Sequence, residues 1–289
     1  MPFVYTLYQH MSKLFLNRFF LHSNTSLCSL YVGETKGSSD TLILEFSGRS
    51  DRKHARLLHK FSSMGSVTVC TRLRFDPNCF GISTIFSYSI QSHINEFQLR
   101  ANLIQGKPVQ LALMVHGIHG PYQEAVDHDD SWHSVCVSWS QNGGRWALYT
   151  HGLGFSRGDG LNSSDSIGPD GLFIIGQEQD TFGGSFKKDE SFSGSITELH
   201  IWDRVLNGSE IFTMEKECSL ISSGLVFKWS GAAMEIESSL TKLWRDNPCQ
   251  GKLVGNLHGN GRNLKGYQYL NQNYKRSTGI VDTVKDRRG

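Results

Sequence analysis

Short apolar segments recur at near-regular spacing along most of this chain, the clearest of them with alternating apolar residues, and this pattern constrains its fold most. A period of two residues is typical of a β-strand with one buried face. The candidate strands cover residues 42–46, 67–75, 83–88, 96–99, 109–115, 134–140, 145–149, 172–175, 196–202 and 225–229. No regular alternation of strands with long helices is present, so the pattern predicts an all-β, antiparallel sandwich.

One helix and one tight hairpin interrupt the strand pattern. Residues 209–217 have an apolar side, and either Asn207 or Ser209 could cap their first turn. Asn142 and Gly143 separate two candidate strands, and this dipeptide tolerates the positive φ angles of a hairpin turn. We therefore expect a single short helix late in the chain and a hairpin near its middle.

Six cysteines favour an oxidising compartment. They are Cys28, Cys70, Cys79, Cys136, Cys218 and Cys249, and none forms a Cys-x-x-Cys pair, which argues against a zinc site of that kind. Cys70 and Cys136 each lie in an alternating strand, on a face with polar or small neighbours. This placement permits a disulfide between paired strands, and it equally permits two buried thiols. The other four cysteines allow three connectivities, among which the sequence does not choose.

A loop rich in oxygen-bearing side chains follows the candidate strand 172–175. Residues 175–186 read Ile-Gly-Gln-Glu-Gln-Asp-Thr-Phe-Gly-Gly-Ser-Phe, with Glu178, Gln179 and Asp180 in succession. Calcium takes about six to eight oxygen ligands and often mixes carboxylates, amides and backbone carbonyls. A polar β-turn would contain the same three residues, so the surrounding sequence has to decide between the two interpretations.

The surroundings of this loop resemble those of the pentraxins, the family of C-reactive protein and serum amyloid P component. The likeness continues through residues 194–196, 201–206 and 210–211, which carry Gly-Ser-Ile, Ile-Trp-Asp-Arg-Val-Leu and Glu-Ile. Residues 132–139, Trp-His-Ser-Val-Cys-Val-Ser-Trp, resemble the family signature, although Ser134 stands where that signature has a histidine.

The resemblance covers about residues 41–246 and implies one pentraxin-like, lectin-like jelly-roll domain with a disulfide between Cys70 and Cys136. We expect residues 1–40 to form a poorly ordered N-terminal segment. We expect residues 247–289 to form a flexible basic tail, because eight Lys/Arg face two Asp/Glu from position 250 onward.

Pentraxins hold two adjacent calcium ions, and the resemblance implies which residues of this chain would hold them. Glu178, Gln179 through its backbone carbonyl, and Asp180 match the central calcium loop. Asn95 matches an earlier asparagine ligand, and Glu190 stands where the family has a glutamine. These five residues are the predicted metal ligands.

Three substitutions weaken the implied site. Ile94 replaces an aspartate ligand, Lys187 replaces a glutamate ligand, and Arg100 stands where an apolar residue would receive choline. Asp189 or Glu96 could supply a replacement ligand. We therefore expect at most one calcium ion, weakly bound, and we do not carry phosphocholine binding over from the family.

No enzyme motif was found in the sequence: it contains no Gly-x-Ser-x-Gly, His-Glu-x-x-His or P-loop pattern. We therefore expect a binding protein without catalytic residues, and its tryptophans in the sandwich core. The net charge is only +2, so we expect no nucleic-acid partner. No apolar segment reaches the length of about 20 residues that spans a membrane.

The predicted function is an extracellular, pentraxin-like ligand-recognition module with a partly eroded calcium site, part of an adhesion-type G protein-coupled receptor ectodomain. The alternative is a secreted, oligomeric pentraxin that acts in calcium-dependent pattern recognition. The sequence does not identify the ligand, which could be an extracellular glycan, a lipid head group or a protein, and it leaves homo-oligomerisation open. Predicted glycosylation sites are Asn24, Asn162 and Asn207.

Overall fold

The computed structural model describes residues 40–162 and 164–249. Most of the predicted N-terminal segment and basic tail therefore lie outside the described residues. In chain order the strands are β1 (Asp40–Phe46), β2 (Ala55–Leu57), β3 (Ser66–Phe75), β4 (Gly81–Ile90), β5 (His93–Leu103), β6 (Val109–Val115), β7 (Ile118–His119), β8 (Gln123–Val126), β9 (His133–Ser140), β10 (Arg145–Thr150), β11 (Leu153–Gly158), β12 (Leu172–Ile175), β13 (Gly194–Trp202), β14 (Leu225–Phe227), β15 (Met234–Ile236) and β16 (Thr241–Asp246). The α-helix α1 spans Gly208–Glu217.

The strands form two antiparallel sheets that pack as a sandwich. The first sheet has the order β11-β10-β9-β3-β13-β1-β16, with β14 paired to β13. The second has the order β15-β2-β12-β4-β5-β6-β7, with β8 paired to β6. The predicted all-β antiparallel jelly-roll sandwich with a short helix is confirmed. No helix within the described residues is long and apolar enough to cross a membrane.

The apolar core lies between the inner faces of the two sheets. In β9, Val135, Val137 and Trp139 point into this core, while Cys136 points to the opposite face. In β5, Phe97 and Leu99 are buried in the same core. The two-residue alternation identified the inner face of β9 correctly, because successive side chains of a strand point to opposite sides.

A second, smaller apolar cluster lies on the outer face of the first sheet, beneath α1. Its buried members are Cys70, Cys136, Trp202, Leu206, Ile211 and Met214. The expectation that the tryptophans lie in the sandwich core is therefore wrong for Trp202, which packs under the helix. Trp132 also lies elsewhere, with the Arg74 guanidinium 5.6 Å from its ring centre.

The helix begins with a capping box, which settles the choice between Asn207 and Ser209. Glu210 donates its backbone N–H to Asn207 Oδ1 at 2.9 Å. The Asn207 backbone N–H donates in return to Glu210 Oε2 at 2.9 Å. Asn207 is therefore the N-cap, and the two groups satisfy donors that a helix end leaves without partners.

Two disulfides close this side of the domain. Cys70 and Cys136 are directly opposite each other in β3 and β9 and are bonded, with an S–S distance of 2.08 Å. Cys218, the C-cap of α1, is bonded to Cys249 beyond β16. Cys79 carries no disulfide within the described part of the chain, and Cys28 lies outside it.

The predicted hairpin joins β9 and β10. A 3-10 turn, Asn142–Gly144, connects the strands, and the positive φ angles fall at Gly143 (76°) and Gly144 (58°). Gly144 is required here, since a Cβ atom would lie 2.7 Å from the Leu161 backbone nitrogen.

Candidate calcium-binding site

A glycine immediately after β12 places the acidic loop. Gly176 has a φ of 86°, and a Cβ atom there would lie 2.1 Å from the Phe46 ring. Its N–H donates to the Ile85 carbonyl at 2.9 Å, and its carbonyl accepts from the Phe192 N–H at 3.0 Å. The chain can therefore leave the sheet at this point only with a glycine, and the next residues start from a rigid position.

The side chain of Gln179 holds the loop in place. It is fully buried, and its Nε2 donates to the carbonyls of Ser87 and Leu172 at 3.1 Å each. Its Oε1 accepts from the Gly183 N–H at 2.9 Å. Because the side-chain amide already has these partners, the loop geometry is consistent with the predicted role through the backbone carbonyl alone.

Three carboxylates converge above this loop. One oxygen each of Glu178, Asp180 and Glu190 lie within 4.8 Å of one another. A short 3-10 helix, Lys188–Glu190, brings the third of them to the loop. Calcium holds its ligands at about 2.3–2.6 Å, so oxygens on opposite sides of one ion are about 5 Å apart. The spread of these three oxygens therefore fits a single ion.

The predicted ligand Asn95 lies beside this cluster. The Nε2 atom of Gln98 donates to Asn95 Oδ1 at 2.7 Å and lies 3.5 Å from Glu178 Oε1. Glu178 is only 6% exposed, and its Oε2 is buried with no hydrogen-bond partner among the described residues. A buried carboxylate oxygen without a partner is costly unless a cation or proton meets it.

The charges around Glu178 also favour a cation or a proton at this carboxylate. Burial raises the pKa of Glu178, and the negative charges of Asp180 and Glu190 raise it further, against smaller opposing effects of Gln98 and Arg100. Without a cation, the structure therefore favours the protonated acid more than water does. A bound divalent ion would favour the ionised form and reverse this preference.

Two side-chain cations already occupy the edges of the cluster. Lys187 Nζ lies 2.8 Å from Asp180 Oδ2, and the two side chains are 60% and 35% exposed. Arg100 Nη2 donates to Glu190 Oε1 at 2.9 Å, where the two side chains are 15% and 29% exposed. Lys187 therefore pairs with a predicted ligand, and Arg100 does so as well, which the sequence interpretation did not anticipate.

Gln98 and Arg100 were not identified as a pair of site residues, although a signal for them existed. They alternate with Phe97 and Leu99 along β5, so they lie on the outer face of the second sheet. The calcium loop covers that face, which leaves Gln98 fully buried. Alternation alone could have placed both side chains beneath the loop.

Arg49 also supports the site, and no local pattern marks it. Its Nε donates to Cys79 Sγ at 3.0 Å and its Nη2 to the Phe80 carbonyl at 2.8 Å. Its Nη1 donates to the Asp189 carbonyl, next to Glu190. This guanidinium therefore connects three segments that are distant in sequence.

Neither of the suggested replacement ligands belongs to the three-carboxylate cluster. Glu96 accepts from the Gly168 N–H and lies 3.3 Å from His116 Nε2. Asp189 contributes its carbonyl to Arg49.

The glycosylation predictions concern three asparagines in different settings. Asn24 lies outside the described residues. Asn162 Oδ1 accepts from the Ser164 N–H at 3.0 Å, and Asn207 Oδ1 is the helix cap. In both described cases the side-chain oxygen accepts a hydrogen bond from a backbone N–H. A glycan is attached to the other atom of the amide, the side-chain nitrogen. All three sites stay predictions.

Residues 43–242 match the sequence profile of the Pentaxin family. The chain is 34% identical over 200 residues to human adhesion G protein-coupled receptor D2, a match that covers 69% of this chain and 21% of the receptor. It is 30% identical over 213 residues to rat neuronal pentraxin-1, covering 73% of this chain and 47% of that protein. The chain thus spans less than half the length of these curated relatives.

Solved structures show the same fold. A heptameric SAP-like pentraxin from Limulus polyphemus matches with a TM-score of 0.64 and 25% identity, covering 70% of this chain and 94% of that one. The extracellular region of zebrafish Gpr126/Adgrg6 matches with a TM-score of 0.55 and 15% identity, covering 72% and 26%. Since the family profile spans most of the sequence and both sheets, this chain belongs to the Pentaxin (pentraxin) family.

Proposed function

We propose that this chain is an extracellular ligand-recognition module whose pentraxin calcium site is partly eroded. It binds at most one calcium ion, weakly, through Asn95, Glu178, Gln179, Asp180 and Glu190. The observation that carries this proposal is the convergence of three carboxylate oxygens within 4.8 Å. The buried Glu178 Oε2, which has no described partner, supports it, because a cation there would satisfy an otherwise costly group.

The two side-chain cations explain why binding is weak. A calcium ion would have to weaken the Lys187–Asp180 and Arg100–Glu190 contacts before those carboxylates could coordinate it. The first contact is exposed, and exposed ion pairs contribute little because solvent screens them. The second is less exposed and harder to break. One ion centred on Glu178 therefore fits better than two adjacent ions.

The disulfides and the relatives support the proposed compartment and molecular context. Two disulfides are typical of proteins outside the reducing cytosol. The 34% identity to an adhesion receptor, over only 21% of its length, supports a module within a larger ectodomain. Its partner is an extracellular glycan, lipid head group or protein. Binding rather than catalysis is the role that the family and the lectin-like fold support.

A secreted, oligomeric pentraxin that acts in calcium-dependent pattern recognition is the second candidate. It is supported by the likeness to the heptameric Limulus protein, 94% of which is covered by the match. Size-exclusion chromatography with light scattering separates the two candidates. A monomer supports the receptor module, whereas a closed ring supports the secreted oligomer.

Calorimetric titration of the whole chain with calcium tests the site. We expect one ion per chain with a Kd of about 10⁻⁴ to 10⁻³ M, the range of weak extracellular sites. Glu178→Gln should abolish the heat, and Glu235→Gln, which removes an exposed carboxylate elsewhere, should leave it unchanged. Two ions per chain, or no heat at millimolar calcium, would contradict the proposal.

A further inference from the structure

A pair of histidines meets at one end of the first sheet, away from the residues of the calcium loop. His133 is the first residue of β9 and is 6% exposed. His151 follows β10 in an exposed turn, and its backbone N–H donates to the Ser134 carbonyl at 2.9 Å. The His133 Nδ1 and His151 Nε2 atoms are 3.2 Å apart. Two ring nitrogens from different segments thus face each other.

A carboxylate orients the more buried ring. Asp129 Oδ1 lies 2.7 Å from His133 Nε2. An ionised carboxylate accepts, so the proton of His133 belongs on Nε2, and the lone pair of Nδ1 points towards His151. In metal sites, a carboxylate behind a histidine has this same role: it fixes the tautomer and makes the facing nitrogen a better ligand.

The separation of the two nitrogens suits a metal ion. Zinc binds histidine nitrogen at about 2.0–2.1 Å, and near-tetrahedral geometry then separates two such nitrogens by about 3.3 Å. The observed 3.2 Å needs only a tilt of the rings to admit an ion. His151 lies in an exposed turn, and its exposure provides a route of entry for an ion.

We propose that His133 and His151 form a second metal site, for a divalent cation that prefers imidazole, such as Zn²⁺ or Cu²⁺, with Asp129 as the positioning carboxylate. The ion takes the place of the proton between the two nitrogens, and the neutral His151 ring then carries that proton on Nδ1 instead of Nε2. Among the described residues, three possible His, Cys, Asp or Glu ligands come together at Glu178, Asp180 and Glu190. The histidine pair has no third ligand of this kind there. Water or an external donor therefore completes the coordination, and the ion links β9 to the β10–β11 turn.

Zinc titration of the whole chain against a competing zinc indicator tests this site. His151→Asn is the main variant, because asparagine tolerates the φ of 50° at this position. We expect it to lower the zinc affinity at least ten-fold, and we expect Asp129→Asn to lower it about 10–100-fold through loss of the orienting carboxylate. His119→Asn, which removes an exposed histidine of β7, is the matched control and should change nothing.

Histidine side-chain NMR provides a second readout that does not depend on affinity. Zinc should shift the Nδ1 signal of His133 and the Nε2 signal of His151 in the wild-type chain. An unchanged affinity in His151→Asn, or zinc-induced shifts confined to other histidines, would overturn the proposal. So would the absence of zinc binding at millimolar concentration. This outcome would leave the calcium proposal untouched, since the two sites share no residue.

Discussion

Two acidic regions of this domain use charge in opposite ways. Beneath α1, one guanidinium serves two carboxylates: Arg72 Nε lies 2.9 Å from Glu198 Oε2, and its Nη2 lies 2.9 Å from Glu215 Oε2. The arginine side chain is 10% exposed, and Asn247 also donates to Glu198. Two disulfides surround this network, since Cys70, Cys136, Cys218 and Cys249 line the same cavity.

The acidic cluster of the calcium loop has no such single partner. Lys187 reaches Asp180 from an exposed position, Arg100 reaches Glu190, and Glu178 keeps an oxygen without a described partner. In the first region one buried guanidinium contacts both carboxylates and two disulfides enclose the network, so these contacts stabilise the fold. The second retains an uncompensated buried oxygen, which is what a cation-binding site requires.

Replacing Arg72 should have the largest effect on stability. Arg72→Ala leaves Glu198 and Glu215 without their cation, and breaking a buried ion pair in this way costs about 3–5 kcal/mol. Chemical denaturation measures the free energy of unfolding. Arg56→Ala is the control, because its contact with Glu235 is 40% and 61% exposed and should contribute less than about 1 kcal/mol. Equal costs for the two variants would remove the contrast between buried and exposed charge.

The disulfide between Cys218 and Cys249 should come next. It closes a loop with a sequence separation of 31, for which chain entropy predicts a contribution of about 3–4 kcal/mol. Denaturation of the Cys218→Ser/Cys249→Ser double variant should show a loss of this size. Cys79→Ser, which removes a thiol but no crosslink, should cost less. A double variant as stable as the wild type would show that the covalent closure is dispensable.

The third prediction concerns calcium affinity and Lys187. Lys187→Gln removes an ammonium 2.8 Å from Asp180, so we expect calcium to bind up to about five-fold more tightly, the limit for an exposed ion pair. Calcium calorimetry measures the change. Lys188→Gln removes the neighbouring exposed charge and should have a smaller effect. If both variants improve binding equally, overall charge is responsible and not the contact with Asp180.

The smallest effect concerns pH. The pKa of Glu178 lies above its ordinary value of 4.5 in the folded state, chiefly because of burial. The folded chain therefore holds this proton more tightly than the unfolded chain, and the associated stability is lost as pH rises from about 4.5 through the folded pKa.

Denaturation between pH 4.5 and neutrality, with Glu178→Gln as reference, isolates this contribution. The slope of the difference cannot exceed about 1.4 kcal/mol per pH unit for one proton. Saturating calcium should reduce or reverse this dependence of the stability difference on pH. A difference that grows more favourable to the wild type with rising pH, without calcium, would contradict the burial argument.

Much of the fold followed from local pattern. The alternation in β3 and β9 identified inner and outer faces, and the cap at Asn207 was one of two candidates that the sequence offered. The strand β16 was missed, although it pairs with β1 along its whole length. Its alternation is weak because its side chains are exposed or half-buried, so burial left little trace in the sequence.

The candidate site was predictable only in part. Glu178, Gln179 and Asp180 are consecutive, and their resemblance to a family loop was visible in the sequence. The contact between Arg100 and Glu190 was not, because 90 residues separate them. The contact between His133 and His151 was not predictable either, because one residue lies in β9 and the other in the turn after β10.

By itself, the sequence determined which side chains of β3 and β9 face the core and where the oxygen-rich loop leaves the sheet. These are local properties of alternation and of glycine. Only the tertiary structure decided which charges meet: Arg72 finds Glu198 across 126 residues, while Glu178 is buried without such a partner. The physical reason is that an ion pair depends on distance in space and on exclusion of water, and neither is encoded in the order of neighbouring residues.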